Sequence, residues 1–129
     1  MEQTVAKAFA LLETLAEASG PQRLTDLAST LGLTKPNAHR LLNTLVELGY
    51  VQQDALTSQY GPTMRLFVVG AQLVDRTSIS TMARPVLERL AKQTQDSALL
   101  AAFDDGYSVY VEKVDSPSPV KAVASVGTR

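Results

Sequence analysis

The chain has 129 residues, room for one ordinary domain or a small domain and part of another, and its 45% hydrophobic and 19% charged content excludes general disorder. It has no cysteine, which excludes disulfides and cysteine-based zinc or redox centres, and its net charge of −1 argues against avid non-specific nucleic-acid binding. No apolar run approaches the roughly 20 residues that span a bilayer, and the start Met1-Glu2-Gln3-Thr4 is no secretory signal, so the reading is a soluble, cytoplasmic protein without a membrane role.

From Thr4 to Glu17 apolar residues fall at Val5, Ala8, Phe9, Leu12, Leu15 and Ala16, the spacing of an amphipathic helix that Ser19-Gly20-Pro21 ends. A shorter helix is expected to start with Thr25 as its cap, Asp26 at the positive end of its dipole, and Leu27, Ala28 and Leu31 as its apolar face. Gly32 breaks it at a tight turn. Thr34 then caps a third helix with Pro36 in its first turn, which runs to Leu48 and stops at Gly49. Tyr50–Asp54 and Gln59–Tyr60 read as two short strands around a polar turn, closed by Gly61-Pro62. Three helices and a hairpin predict a winged helix-turn-helix over residues 1–62.

Residues 63–77 are predicted as a linker helix, so apolar from Met64 to Val74 that it must be buried on several sides, with a second subunit as the expected cover. Residues 78–129 read as the front of an incomplete domain. A helix near Ser80–Gln95 contains Pro85, implying either a kink or a true start near Arg84. Ala98–Phe103 reads as a buried strand, Asp105-Gly106 as a hairpin turn, Tyr107–Val114 as an alternating strand, and Val120–Val126 as a third strand. The fold class is mainly α with small β.

On a helical wheel the third helix gathers Ala38, Leu41, Leu42, Leu45 and Leu48 on one side, with Pro36, His39, Arg40, Asn43 and Glu47 opposite and Lys35 and Thr44 flanking. Guanidinium, amide, imidazole and hydroxyl groups are those that pair with base edges and phosphates in a major groove. Residues 1–62 hold four basic and six acidic residues, a net of −2, yet no acid lies between Thr34 and Asn43. The competing reading, a merely solvated surface helix, is weakened by the ordered sequence of short helix, glycine turn, capped helix, glycine stop and hairpin. His39 suits a phosphate contact better than base reading, and a lone histidine makes no metal site. Wing residues Gln52, Gln53, Thr57 and Gln59 are candidates to touch the DNA backbone or the minor groove, with a solvated hairpin as the competing reading. The DNA-binding set is therefore Thr25, Thr34, Lys35, Asn37, His39, Arg40, Asn43, Thr44, Gln52 and Gln59. Two other functions compete: a winged helix used for protein contact alone, and an enzyme using Asp104, Asp105, Tyr107 and Glu112. No nucleophile–base pair or phosphate loop supports the second, so no catalytic residue or cofactor is assigned.

The runs Val5–Leu12, Leu24–Ala28, Leu31-Gly32-Leu33, His39–Leu45 and Gly49-Tyr50-Val51, with Leu66–Gly70 and Ala83–Leu90, resemble the IclR family of bacterial transcription regulators. The resemblance covers essentially the whole chain. It implies a homodimer or dimer of dimers on a palindromic double-stranded DNA operator, with a repressor the expected sense. It also implies a PAS- or GAF-like α/β sensor domain that binds a small organic acid effector. Thr34, Lys35, Asn37, His39, Arg40, Asn43 and Thr44 fall on the family's DNA-facing segment. Pro36 and Asn37 stand where members more often carry small hydroxyl residues, so base preference does not transfer. Members continue for about as long again, and that part supplies much of the effector pocket. Ala101, Ala102 and Phe103 are the candidates here for one wall, with ordinary sheet core as the competing reading.

Overall fold

A computed structural model describes residues 1–75, 79–120 and 123–129. The chain divides into two compact units, Met1–Val69 and Gly70–Arg129.

In the first unit, α1 spans Gln3–Glu17, α2 Leu24–Thr30 and α3 Lys35–Glu47. Glu2 caps α1, its Oε1 accepting the Thr4 N–H at 3.0 Å; that bond, with a lesser one from the Thr4 side chain, holds this exposed carboxyl below its usual range. Arg23 rather than Thr25 is the N-cap of α2, and no side chain caps it. Thr25 lies inside the helix, because Leu24 already points into the core and draws the first turn one residue earlier. The α2–α3 turn passes through Gly32 at φ +62°, a left-handed conformation that costs a residue without Cβ little. At the other end of α3, Gly49 has φ +81°, and the helix stops there.

Strands β1 (Val51–Gln53) and β2 (Tyr60–Pro62) pair antiparallel with Gln53 opposite Tyr60. Gly61 and Pro62 therefore belong to the wing instead of closing it. Gln22 adds a bridge that periodicity did not reveal: its N–H donates to the Tyr60 carbonyl and its carbonyl accepts the Tyr60 N–H in return, both at 2.8 Å. The core gathers Leu11, Leu12 and Leu15 from α1, Leu27 from α2, Leu41, Leu42 and Leu45 from α3, with Val51 and Tyr60 from the wing. Burial pushes the Tyr60 phenol up from its ordinary pKa. The expected apolar faces need two corrections. Val5, Phe9 and Ala16 of α1 are exposed, Phe9 at 61%, while Leu11, which the expected face leaves out, is fully buried. Leu48 is 55% exposed, because it sits at the C-cap of α3, past the last turn that touches the core.

Helix α4 spans Arg65–Asp75. Its start is clasped to the end of α3. The Thr63 N–H donates to the Tyr50 carbonyl at 3.0 Å, the Thr63 hydroxyl donates to the Gly49 carbonyl at 2.6 Å, and the Arg65 guanidinium lies 5.2 Å over the Tyr50 ring. Leu66 packs on the core, but Phe67, Val68, Val69 and Leu73 face outward.

The second unit comprises α5 (Ile79–Thr94) and an antiparallel hairpin of β3 (Ala98–Asp104) and β4 (Tyr107–Val114). Helix α5 runs unbroken through Pro85, so it does not begin near Arg84. Leu87 and Ala91 pack on Ala98, flanked by Ala83, Leu100 and Val114. Arg84 donates to Glu112 at 3.1 Å and pairs with Glu88 at 3.3 Å, which ties helix to hairpin. The buried Ser116 hydroxyl donates to the Gln95 carbonyl at 2.6 Å and accepts the Ser118 N–H, so its polar atom is satisfied.

Asp105 and Gly106, both at positive φ, form the expected two-residue turn. The Ala98–Phe103 run is not buried as expected: only Ala98 is, and Phe103 is 80% exposed, because α5 covers the hairpin near its open end alone. The alternation of β4 is broken too. The register passes from Leu100 opposite Glu112 to Ala101 opposite Tyr110, leaving Val111 as the extra residue of a bulge. Of the expected third strand, Lys121 and Ala122 lie outside the described residues. Val120 and Val123–Val126 form no strand, although Gly127 donates to the Tyr110 carbonyl at 2.8 Å.

Candidate nucleic-acid interface

Helix α3 positions the site. The Thr34 hydroxyl accepts the Asn37 N–H at 3.4 Å, and Pro36 occupies the first turn, where its missing N–H has no intrahelical partner. Ala38, Leu41, Leu42 and Leu45 bury one face in the core. That leaves Lys35, His39, Arg40, Asn43 and Thr44 exposed on the other, with Asn37 half-buried beside them.

These side chains are linked along the helix. Arg40 Nη2 donates to Asn37 Oδ1 at 3.0 Å, Asn43 Nδ2 meets His39 Nδ1 at 3.4 Å, and the Thr44 hydroxyl donates to the Arg40 carbonyl at 3.2 Å. Spacings of three and four residues permitted these pairs, but a wheel does not say which rotamers close them. After its bond to Asn37, the Arg40 guanidinium keeps four N–H donors for a base edge or phosphate. Asn43 keeps its carbonyl and one N–H, the pair of groups that matches adenine.

The wing differs from α3 in kind. From Tyr50 to Pro62 its only charged residue is Asp54. That carboxylate accepts the Thr57 N–H at 2.7 Å, the Leu56 N–H at 2.8 Å and the Thr57 hydroxyl at 3.1 Å, which hold it below the usual aspartate value of 3.8. The turn so made raises Leu56, 95% exposed, at its tip. Gln52 is exposed and Gln59 half-buried, and both line an open groove with Pro21, Gln53 and Asp54. Thr25 is exposed in the first turn of α2, and no hydrogen bond links it to the α3 residues.

In the second unit Ala101 is exposed, Ala102 half-buried and Phe103 exposed, lying opposite Tyr110, Val109 and Ser108. Of the four acid/base candidates, Asp105 makes the hairpin turn and Glu112 is paired with Arg84. Among the described residues, no three His, Asp or Glu side chains gather as a metal site would need.

Residues 4–55 match the family model of the IclR helix-turn-helix domain, and residues 71–129 match that of the bacterial transcriptional regulator IclR C-terminal domain. The chain is 29% identical over 127 residues to the HTH-type transcriptional regulator KipR of Bacillus subtilis, covering 98% of this chain and 50% of that protein. It is 27% identical to the acetate operon repressor of Salmonella typhimurium over 97% of this chain and 46% of the repressor. It is 30% identical to the glycerol operon regulatory protein of Streptomyces coelicolor over 97% and 49% of the two chains. It thus spans about half the length of the curated relatives it matches. Among solved structures it resembles an IclR family transcriptional regulator from Brucella abortus, with a TM-score of 0.78 and 28% identity over 91% of this chain and 44% of that one. It also resembles a regulator of the same family from Alicyclobacillus acidocaldarius, with a TM-score of 0.76 and 27% identity over 99% and 52%.

Proposed function

The chain belongs to the IclR family of bacterial transcriptional regulators, a family of regulators and not of enzymes, and we propose that it binds double-stranded DNA sequence-specifically through α3. The observation that carries this reading is the exposed face of α3, which sets two cations, two amides and an imidazole over a leucine-packed opposite face with no acid before Glu47. Arg40 and Asn43 are the base readers, while Lys35, His39, Thr34 and Thr44 contact phosphates. Asn37 completes this face, and Thr25, Gln52 and Gln59 make peripheral, uncharged contacts. Few cations mean weak binding by one helix, so the functional unit is a homodimer reading a palindrome with two copies of α3.

Three segments divide the work: residues 1–62 bind DNA, 63–77 link, and 78–129 belong to a sensor for a small organic effector. Ala101, Ala102 and Phe103 are exposed enough to meet such a ligand. Effector binding shifts the relative placement of the two reading helices through α4, and the Thr63–Gly49 clasp passes that movement to α3. Repression is the proposed sense, since repressors are among the relatives. No helix among the described residues is long and apolar enough to cross a membrane, and the proposed place of action is the cytoplasm.

The test is selection of duplexes from a randomised pool, followed by fluorescence anisotropy on the selected sequence. Arg40→Ala is expected to weaken binding by roughly 5- to 150-fold, the equivalent of one lost bidentate base contact. Equal binding by this variant and by Asn43→Ala would remove α3 as the reading element and leave a protein-contact role for the winged helix.

A further inference from the structure

We propose that Asn37 is a positioning residue for Arg40, holding the guanidinium in the orientation that reads a guanine. The inference rests on α3 being the DNA-reading helix and assigns within it a role that direct contact alone does not require. Asn37 is the third residue of the helix. In that position a longer polar side chain commonly turns back to the cap residue's backbone N–H. Asn37 does the reverse. Its own N–H is given to the Thr34 hydroxyl at 3.4 Å, and its carbonyl Oδ1 faces forward to accept Arg40 Nη2 at 3.0 Å.

The asymmetry between the partners sets the direction of control. Asn37 is half-buried and tied at its backbone to the cap, whereas Arg40 is exposed, so the amide is the anchored member. Among the described residues no carboxylate pairs with Arg40. A carboxylate would orient the guanidinium more strongly but would cancel the charge that a phosphate-lined groove attracts. A neutral amide orients it and leaves the charge intact. The N–H groups not given to Asn37 include the fork that matches O6 and N7 of guanine. Holding a long, flexible side chain in the bound rotamer lowers the ordering cost at binding.

The test uses the full chain and the randomised duplex pool, with wild type, Arg40→Ala, Asn37→Ala, Asn37→Asp and the Asn37→Ala/Arg40→Ala double variant. Arg40→Ala identifies the base pair that Arg40 reads. Asn37→Ala is expected to relax preference at that same pair by about three- to tenfold, within the range of one base contact. The double variant should be no less selective than Arg40→Ala, since the amide has nothing left to position. Asn37→Asp keeps the acceptor, so it should restore selectivity at that pair while lowering overall affinity through repulsion of phosphates. Thermal denaturation verifies folding, and the Asn37→Asp rescue separates positioning from a general loss of stability. The proposal is overturned if Asn37→Ala relaxes a different pair, if it leaves selectivity unchanged, or if Asn37→Asp fails to restore it. Selection of the wild-type sequence by Arg40→Ala would instead sink the DNA-reading role of that side chain, and this proposal with it.

Discussion

Between Met1 and Val69 one buried cluster draws nine described side chains from three helices and both wing strands, whereas between Gly70 and Arg129 the cluster holds Leu87, Ala91 and Ala98. The second unit meanwhile exposes Ile79, Met82, Val86 and Leu90 along α5, and Phe103 and Tyr107 on the hairpin. The two units differ in their elements and so in closure. In the first, three helices and a two-stranded wing surround their apolar residues. In the second, one helix covers part of one side of a two-stranded sheet. The difference teaches that burial follows from how many elements close around an apolar face, not from how apolar the face is.

The sharpest way to break this comparison is to empty both cores. Leu42→Ala removes a fully buried side chain and is expected to cost about 3–5 kcal/mol, against about 2 kcal/mol for Leu87→Ala. Urea denaturation of both variants would show it, and equal losses would mean that the second unit is as well packed as the first.

Next in size is association. The outward Phe67 and Leu73 of α4 are expected to lie in the dimer contact, so Leu73→Glu should weaken association by tenfold or more, on the order of 1.4 kcal/mol. Light scattering that finds wild type a clean monomer at high concentration would dismiss this.

Within the first unit, Thr34→Ala should cost about 1 kcal/mol through the lost cap of α3. Thr25→Ala, which caps nothing, should change stability by no more than about 0.5 kcal/mol. Reversed values in the same denaturation assay would restore Thr25 as the cap.

The smallest effect concerns the wing. The Asp54 carboxylate has a folded pKa below its unfolded value, so its contribution is present above that unfolded value and fades as pH falls through the folded one. The protection of the Leu56 and Thr57 amides, taken as exchange relative to the intrinsic rate at each pH, should therefore fall as the pH drops below the ordinary aspartate value of 3.8. Asp54→Asn should show fast exchange already at neutral pH. Protection that does not change with acid in the wild type would show that the turn is held by its backbone alone.

Much of the first unit was legible because its elements are short-range devices. The Thr34 cap, the Pro36 start, the Gly49 stop and the Ala38–Leu45 face each depend on residues within about four positions of one another. The exposed polar face of α3 was legible for the same reason: it is what remains once the leucines are assigned to the core. The Asp105-Gly106 turn is equally local. The misplaced features all depend on distance along the chain. Phe9 and Phe103 are exposed, and periodicity reports that residues share a face without reporting whether the face is covered. The bulge at Val111 depends on register against β3, and the Gln22–Tyr60 bridge joins residues separated by a whole helix-turn-helix.

Local pattern by itself thus determined the helix-turn-helix, the wing and the polar face of α3, because caps, turns and a 3.6-residue period are written within single elements. Only the tertiary structure decided which apolar faces are covered, where the Thr63 clasp closes on Gly49, and that Asn37 reaches forward to Arg40. Coverage is a property of long-range packing, and the direction of a side chain is a choice among rotamers that spacing leaves open.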